Sequence, residues 1–402
     1  MRRRGQRSVS QIYLDWNAST PPHPDVVAAM VEAARNAWGN PASVHGTGRL
    51  ARARVEDARE AVATLVGLDP RDVYLTSGGT EANNLALWHA FADGLSRPDE
   101  GRNALVVGRA EHPSVVRFAE HLAERGVLVE WVAPSASGRV DPAAIADAMD
   151  RAASAGATVR LVALQAVNHE TGVIQPVVEA AQLCRARKAL LFVDAVQAVG
   201  KLPRETYDVA DLISVAAHKI RGPKGVGALA TRPTVHLRRM LFGGAQEKGL
   251  RPGTQDPVTC AGFAVAADRA LDMPQRYAAI APLRDQLEAD LARIGEAAGV
   301  ATFRNGDGER APHVTNVSFR GWLGPELCAA LDLEGVAVSS GSACSAGTAE
   351  PSPVLEAMVG RERALSAVRV SLGEDTTPDD IREALVRWER VLARAATHAG
   401  MT

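Results

Sequence analysis

The chain has 402 residues, with 45 Lys+Arg against 47 Asp+Glu and a formal net charge of -2. Apolar residues make up 46% of it, enough for a sizeable buried core and too much for a disordered chain. The balanced charge argues against a nucleic-acid or anionic-membrane surface, and no run of 18 apolar residues offers a membrane span.

Short apolar, β-branched runs alternate with longer helical patterns. Strands are expected at Val73–Thr76, Ala104–Val107, Val127–Val132, Arg160–Gln165, Leu190–Val193, Leu212–Ala216 and Val226–Ala230. Several are apolar throughout, as strands covered on both faces must be. Helices are expected between them, for example at Ser114–Arg125, Pro142–Ala153 and Val177–Arg187. This alternation predicts an α/β fold with a mostly parallel seven-stranded sheet flanked by helices. After about residue 270 the pattern changes to one long helix, Met273–Ala298, then Thr315–Phe319, a helix from Pro325, a short strand ending near Val338, Ala367–Leu372, and a helix from Pro378. The expected organisation is a large domain over residues 19–270 and a smaller α+β domain built from residues 1–18 and 271–402. Four cysteines, at 184, 260, 328 and 344, form no CxxC pair. No zinc cluster or disulfide framework is expected, hence no metal, and a reducing cytoplasmic compartment is. The basic start, Met1 to Arg7, leads into no apolar h-region.

Parallel α/β sheets place ligands beyond the carboxyl ends of their strands. Asp194 ends one apolar strand, and 25 positions later His218-Lys219 follow another. An amine that can attach to a cofactor aldehyde and a carboxylate that keeps a pyridine nitrogen protonated are what a pyridoxal 5'-phosphate (PLP) site requires. Either residue alone reads more simply as a helix cap or a solvated loop charge. Thr76-Ser77-Gly78-Gly79-Thr80-Glu81 adds a strand, a glycine turn and a helix start, which suits a phosphate. His112 could stack on an aromatic cofactor, and Gln197 is close enough to Asp194 to reach a ring oxygen. The Gly225-to-Ala230 stretch imitates a dinucleotide fingerprint but precedes a strand, so a nicotinamide reading is poor. Cys344 sits among small residues, Ser339-Ser340-Gly341-Ser342-Ala343-Cys344-Ser345, where nothing bulky hinders a substrate.

Together these motifs resemble the cysteine desulfurases of the NifS/IscS type, fold type I PLP enzymes of the class V aminotransferase group. Tyr13-Leu14-Asp15, Gly39-Asn40-Pro41, Asn168-His169-Glu170-Thr171-Gly172, Arg251-Pro252-Gly253-Thr254 and the Ser339-to-Cys344 run carry the resemblance beside the motifs above. It implies conversion of L-cysteine to L-alanine, with sulfur held as a persulfide on Cys344 and passed to an iron–sulfur scaffold or sulfur-carrier protein. Lys219 would hold PLP, Asp194 would pair with the ring nitrogen, Gln197 and His169 would touch the phenolic oxygen, and His112 would stack on the ring and move protons. Gly79, Thr80 and His218 would bind the phosphate, joined by Thr254 from the other subunit of a homodimer. Asn40 and Arg369 would hold the substrate carboxylate. Two positions depart from the family pattern: His169 stands where Asn is usual, and Ala216 where a phosphate-binding Ser is usual. Selenocysteine lyase, a class V aminotransferase and a non-catalytic sulfur-pathway adaptor are the alternatives. An aminotransferase needs no acceptor thiol, and an adaptor should have lost Lys219 or Cys344.

Overall fold

The computed structural model describes residues 11–96, 102–341 and 350–399. The chain opens with strand β1 (Ile12–Tyr13) and helices α1 (Pro24–Asn36) and α2 (Gly46–Val66). The βα alternation then runs β2 (Val73–Thr76), α3 (Gly79–Ser96), β3 (Arg102–Gly108), α4 (Pro113–Glu124), β4 (Leu128–Val132), α5 (Pro142–Ser154), β5 (Ala157–Gln165), α6 (Val177–Arg187) and β6 (Leu190–Asp194). Strands β7 (Leu212–Ala216) and β8 (Gly227–Thr231) complete the seven-stranded sheet, in the order β2-β8-β7-β6-β5-β3-β4.

The sheet is parallel from β7 through β4, while β8 runs antiparallel to both β7 and β2. Leu212–Ala216 and Gly227–Thr231 are buried at every position, because helices cover both faces and leave no side for polar residues. Helix starts follow a repeated local rule. His112, Asp141 and Asp256 each accept a backbone N–H of the first turn, and each precedes a proline whose missing N–H costs nothing there.

Helices α7 (Pro257–Ala270), α8 (Met273–Ala278) and α9 (Ala281–Ala297) follow. The single helix expected over Met273–Ala298 is therefore two, broken at 279–280. Pro282 lies in the first turn of α9 and cannot donate to a preceding turn, so the helix restarts. Strands β9 (Thr302–Arg304) and β10 (Val314–Phe319), helix α10 (Gly324–Leu333), strand β11 (Val336–Ala337), helices α11 (Pro353–Val359) and α12 (Arg361–Leu365), strand β12 (Ala367–Ser371) and helix α13 (Pro378–Ala399) finish the order. Here β12-β10-β9 form an antiparallel sheet, and β1 pairs in parallel with β11. Asp15 bridges to Ser371, so the first described residues are stitched to the last strand. Among the described residues no helix is long and apolar enough to cross a membrane.

Candidate active site

The carboxyl ends of β5, β6 and β7 open into a cleft of about 280 Å³. Its walls include Gly79, Thr80, His112, His169, Asp194, Gln197, Ala216, His218, Lys219 and Arg369, so ten positions singled out in the sequence converge. Asn17, Asn83 and Gln165 also line it. Asp194 closes β6 with its carboxylate accepting from Asn83 Nδ2 at 2.7 Å and from the Val196 amide at 3.0 Å. Those bonds aim a buried acid into the cleft and hold it there. Helix α3 begins at Gly79, where a Cβ would approach Val196 Cγ2 to 2.9 Å; only glycine lets the first turn sit this close to the β6 exit.

Lys219 leaves β7 through a short 3-10 turn. Its Nζ donates to two backbone carbonyls of the N-terminal segment, those of Asn17 and Ala18, the latter at 3.0 Å. Burial, then the Arg369 guanidinium, pushes the amine down to about 8, with Asp15 and Asp194 pulling the other way. A substantial neutral fraction near neutral pH follows. Asn17 is bound on every side: its N–H donates to Ser371 Oγ at 2.9 Å, its Nδ2 to the His169 carbonyl at 3.2 Å, and His313 Nε2 lies 2.9 Å from its Oδ1. Arg221, next to the lysine turn, stacks its guanidinium over Trp16 and pairs with Glu374 and Asp375. The amine's position is thus set by residues far apart in sequence.

His112 caps α4 through Nδ1, which accepts from the Ser114 amide at 3.2 Å, and the ring meets His169 edge-on with centroids 5.4 Å apart. Burial lowers the His112 pKa, against the pull of Asp194, and lowers that of His169 further, with His112, Arg369 and Lys219 adding to it. Both imidazoles are neutral at pH 7. Gln165 Nε2 donates to the Ala110 carbonyl, so its Oε1 faces His169 Nδ1 at 3.4 Å and must receive that ring's proton. His169 Nε2 makes no hydrogen bond and stands 3.6 Å from Oε1 of the buried Glu170. His218 is pushed down to about 4 by burial and then by Lys219, and is neutral as well.

Arg369 is buried at 4% exposure, not a charge on a strand edge. It donates to the His169 carbonyl at 3.0 Å and to Asp15 Oδ1 at 2.7 Å. Its backbone bridges to Ser339, the last paired residue before the segment that carries Cys344. On the far side of that segment, Ser352 donates to the buried Glu170 at 2.6 Å. Cys344 itself lies outside the described residues. The other three cysteines, 184, 260 and 328, have thiols pushed up to about 12, chiefly by burial, so none offers a thiolate near neutral pH.

Two expected residues are not in this cleft. Asn40 is exposed, and its Oδ1 accepts from the amide of Ala42 in its own turn. Thr254 is exposed on the stretch before α7. Sequence reasoning overlooked Asn17 and Asn83. Asn83 sits one helical turn beyond Gly79, a spacing that could have drawn attention; Asn17 acts through its backbone carbonyl, which no residue type advertises.

An amine and an acid at neighbouring strand exits, flanked by a glycine-opened helix start on this sheet, define a chain of the fold type I class, whose chemistry depends on PLP. The aminotransferase class-V family model matches residues 12–384. A cysteine desulfurase of Bradyrhizobium diazoefficiens is 37% identical over 388 residues, covering 95% of each chain. The cysteine desulfurase IscS of Methylococcus capsulatus is 40% identical over 391 residues, covering 95% of this chain and 93% of the relative. A solved NifS-like protein superposes with a TM-score of 0.85 at 30% identity, covering 96% of this chain and all (100%) of the other. This chain belongs to the class-V aminotransferase family and, within it, to the NifS/IscS-type cysteine desulfurases.

Proposed function

We propose that this chain is a PLP-dependent cysteine desulfurase that converts L-cysteine to L-alanine and holds the sulfur as a persulfide on Cys344. The cleft suits the cofactor. Asn83 Oδ1 and Arg369 Nε are buried without hydrogen-bond partners, and both residues belong to the cleft wall, so a polar ligand is what would satisfy them. Lys219 would hold the aldehyde, Asp194 the ring nitrogen, Gln197 and His169 the phenolic oxygen, with His112 against the ring. Gly79, Thr80 and His218 would hold the phosphate, Ala216 supplying no bond there. When bound, PLP supplies an electron sink for the substrate carbon.

The protein's own residues do the rest. Arg369 is a fixed cation facing the cleft and would pair with the substrate carboxylate. The Lys219 amine, near 8, can take the Cα proton and return it. With Nδ1 accepting from the Ser114 amide, neutral His112 carries its proton on Nε2, from which it would donate toward the substrate. Cys344 lies five residues beyond Ser339, a tether that spans at most ~18 Å when extended, and Ser339 is hydrogen-bonded to cleft residue Arg369. The pairing of Ser339 with Arg369, a residue of the cleft that Lys219 also lines, is the observation that supports the reading. The exchange balances without outside oxidant or reductant: the substrate C–S bond breaks, an S–S bond forms on Cys344, and the carbon takes up a proton to become the alanine methyl.

A homodimer completes the proposal. Thr254 of the partner subunit would join the phosphate site, and Asn40 is offered for the substrate carboxylate although its own chain keeps it outside the cleft. Val27, Val31, Trp38, Val44 and Phe242 are exposed apolar residues that such an interface would cover. A sulfur-carrier or iron–sulfur scaffold protein would receive the persulfide, and the thiol chemistry suits the cytoplasm. The test is Cys344→Ala. The variant is expected to keep the cofactor's visible absorbance while losing alanine and sulfide production by at least ~100-fold, as a missing nucleophile requires. Undiminished turnover would remove Cys344 from the reaction. A keto acid in place of alanine would favour an aminotransferase.

A further inference from the structure

Lys201 has no part in the chemistry above, yet it is 1% exposed behind the cleft. Among the described residues no carboxylate lies within ion-pair distance of it. Burial pushes its amine well below the usual lysine value, and Lys219 and Arg369 push in the same direction. The other titratable groups it acts on are His218 and His313, so its surroundings hold cations and neutral imidazoles. A buried amine in such company is costly to keep. Its contact with Gln197 gives it a purpose.

Lys201 Nζ donates to Gln197 Oε1 at 2.8 Å. Gln197 Nε2 in turn donates to the Asn17 carbonyl at 3.0 Å, the same oxygen that accepts from Lys219. The two ends of the amide therefore meet opposite partners. Turning it over would press oxygen against the Asn17 carbonyl oxygen and leave the Lys201 N–H groups without their acceptor. Lys201 at the oxygen and the Asn17 carbonyl at the nitrogen thus fix which end faces forward, and Gln197 has a second amide hydrogen left for a ligand in the cleft that it lines.

We infer that Lys201 is a positioning residue that locks the Gln197 amide with its NH2 toward the cleft, making position 197 a hydrogen-bond donor to the phenolic oxygen of bound PLP. The inference rests on the proposed cofactor site. A donor at that oxygen favours its deprotonated form, so losing the donor raises the pH at which the bound cofactor's visible absorbance titrates. In the holoenzyme, Lys201→Met is expected to raise that midpoint by about one pH unit, the size of one hydrogen bond to a charged acceptor. Gln197→Leu is expected to raise it similarly. In the double variant Lys201→Met adds nothing, because Lys201 acts only through Gln197. A packing role alone would leave the midpoint still or add the same shift in both backgrounds, and either result overturns the inference.

Should Lys201→Met fail to fold, Lys201→Gln keeps an N–H for Gln197 Oε1 and is expected to titrate like the wild type. A shift as large as that of Gln197→Leu would then refute the positioning role. Failure of the cofactor site itself is distinguishable: the wild-type protein would show no visible cofactor band, or one unaffected by Lys219→Ala.

Discussion

Cofactor capture by the apoprotein tests the electrostatics of the cleft directly, because only the neutral Lys219 amine attacks an aldehyde. With the amine at about 8 rather than the ordinary 10.5, roughly a tenth is neutral at pH 7 instead of roughly three parts in ten thousand, a gain of about 300-fold in reactive fraction. Stopped-flow absorbance on mixing apoprotein with PLP, with Lys219→Ala as the blank, reads this fraction as a rate. The rate is expected to climb tenfold per pH unit up to about 8 and to level off above it. Arg369→Met removes the largest charge acting against the ammonium, so the bend is expected to move upward. The depressed amine also links to stability: between about 8 and 10.5 the unfolded chain holds the proton and the folded chain does not, so stability rises with pH through that window. A capture rate that climbs without bending through pH 9.5 would refute the cleft electrostatics described here.

His313→Gln retains a donor for Asn17 Oδ1 but removes an imidazole that burial, then Lys201, Arg284 and Arg369, keep neutral well below its usual value. Below pH ~6.5 the unfolded wild-type chain gains a proton there that the folded chain refuses, so the wild type is expected to lose ~1.4 kcal/mol per pH unit relative to the variant, as read by urea unfolding. A stability difference independent of pH would exclude a neutral His313. Gly373→Ala would set a Cβ 2.0 Å from the Trp16 ring, displacing the segment whose carbonyls hold Lys219. The expected outcome is a loss of about 1–3 kcal/mol in chemical denaturation together with weaker cofactor retention in dialysis. A variant with wild-type stability and retention would show that the segment has room to yield.

The central sheet was legible because parallel strands covered on both faces must be apolar throughout, as in Leu212–Ala216. Its orientation was only partly so. Val226–Ala230 reads the same in either direction, and the antiparallel placement of β8 beside β7 and β2 comes from the short return after Lys219, which leaves no crossover helix. Lys219, Asp194 and the glycine turn could be read because their side chains, or lack of them, are what the cleft wall presents. Arg369 could not be separated from a surface charge until β12 appeared between β10 and the bridged Asp15. Lys201 escaped attention for a related reason. A lysine between Gly200 and Leu202 reads as solvated, and only the packing behind Gln197 shows that it is not.

The Asn17 amide is hydrogen-bonded to Ser371, a partner 354 positions along the chain. A ribosome releases the earlier residue first, so the carbonyls that cradle the reactive amine wait for nearly the whole polypeptide before they can take their places. A truncated product would carry Lys219 with its cradle unassembled.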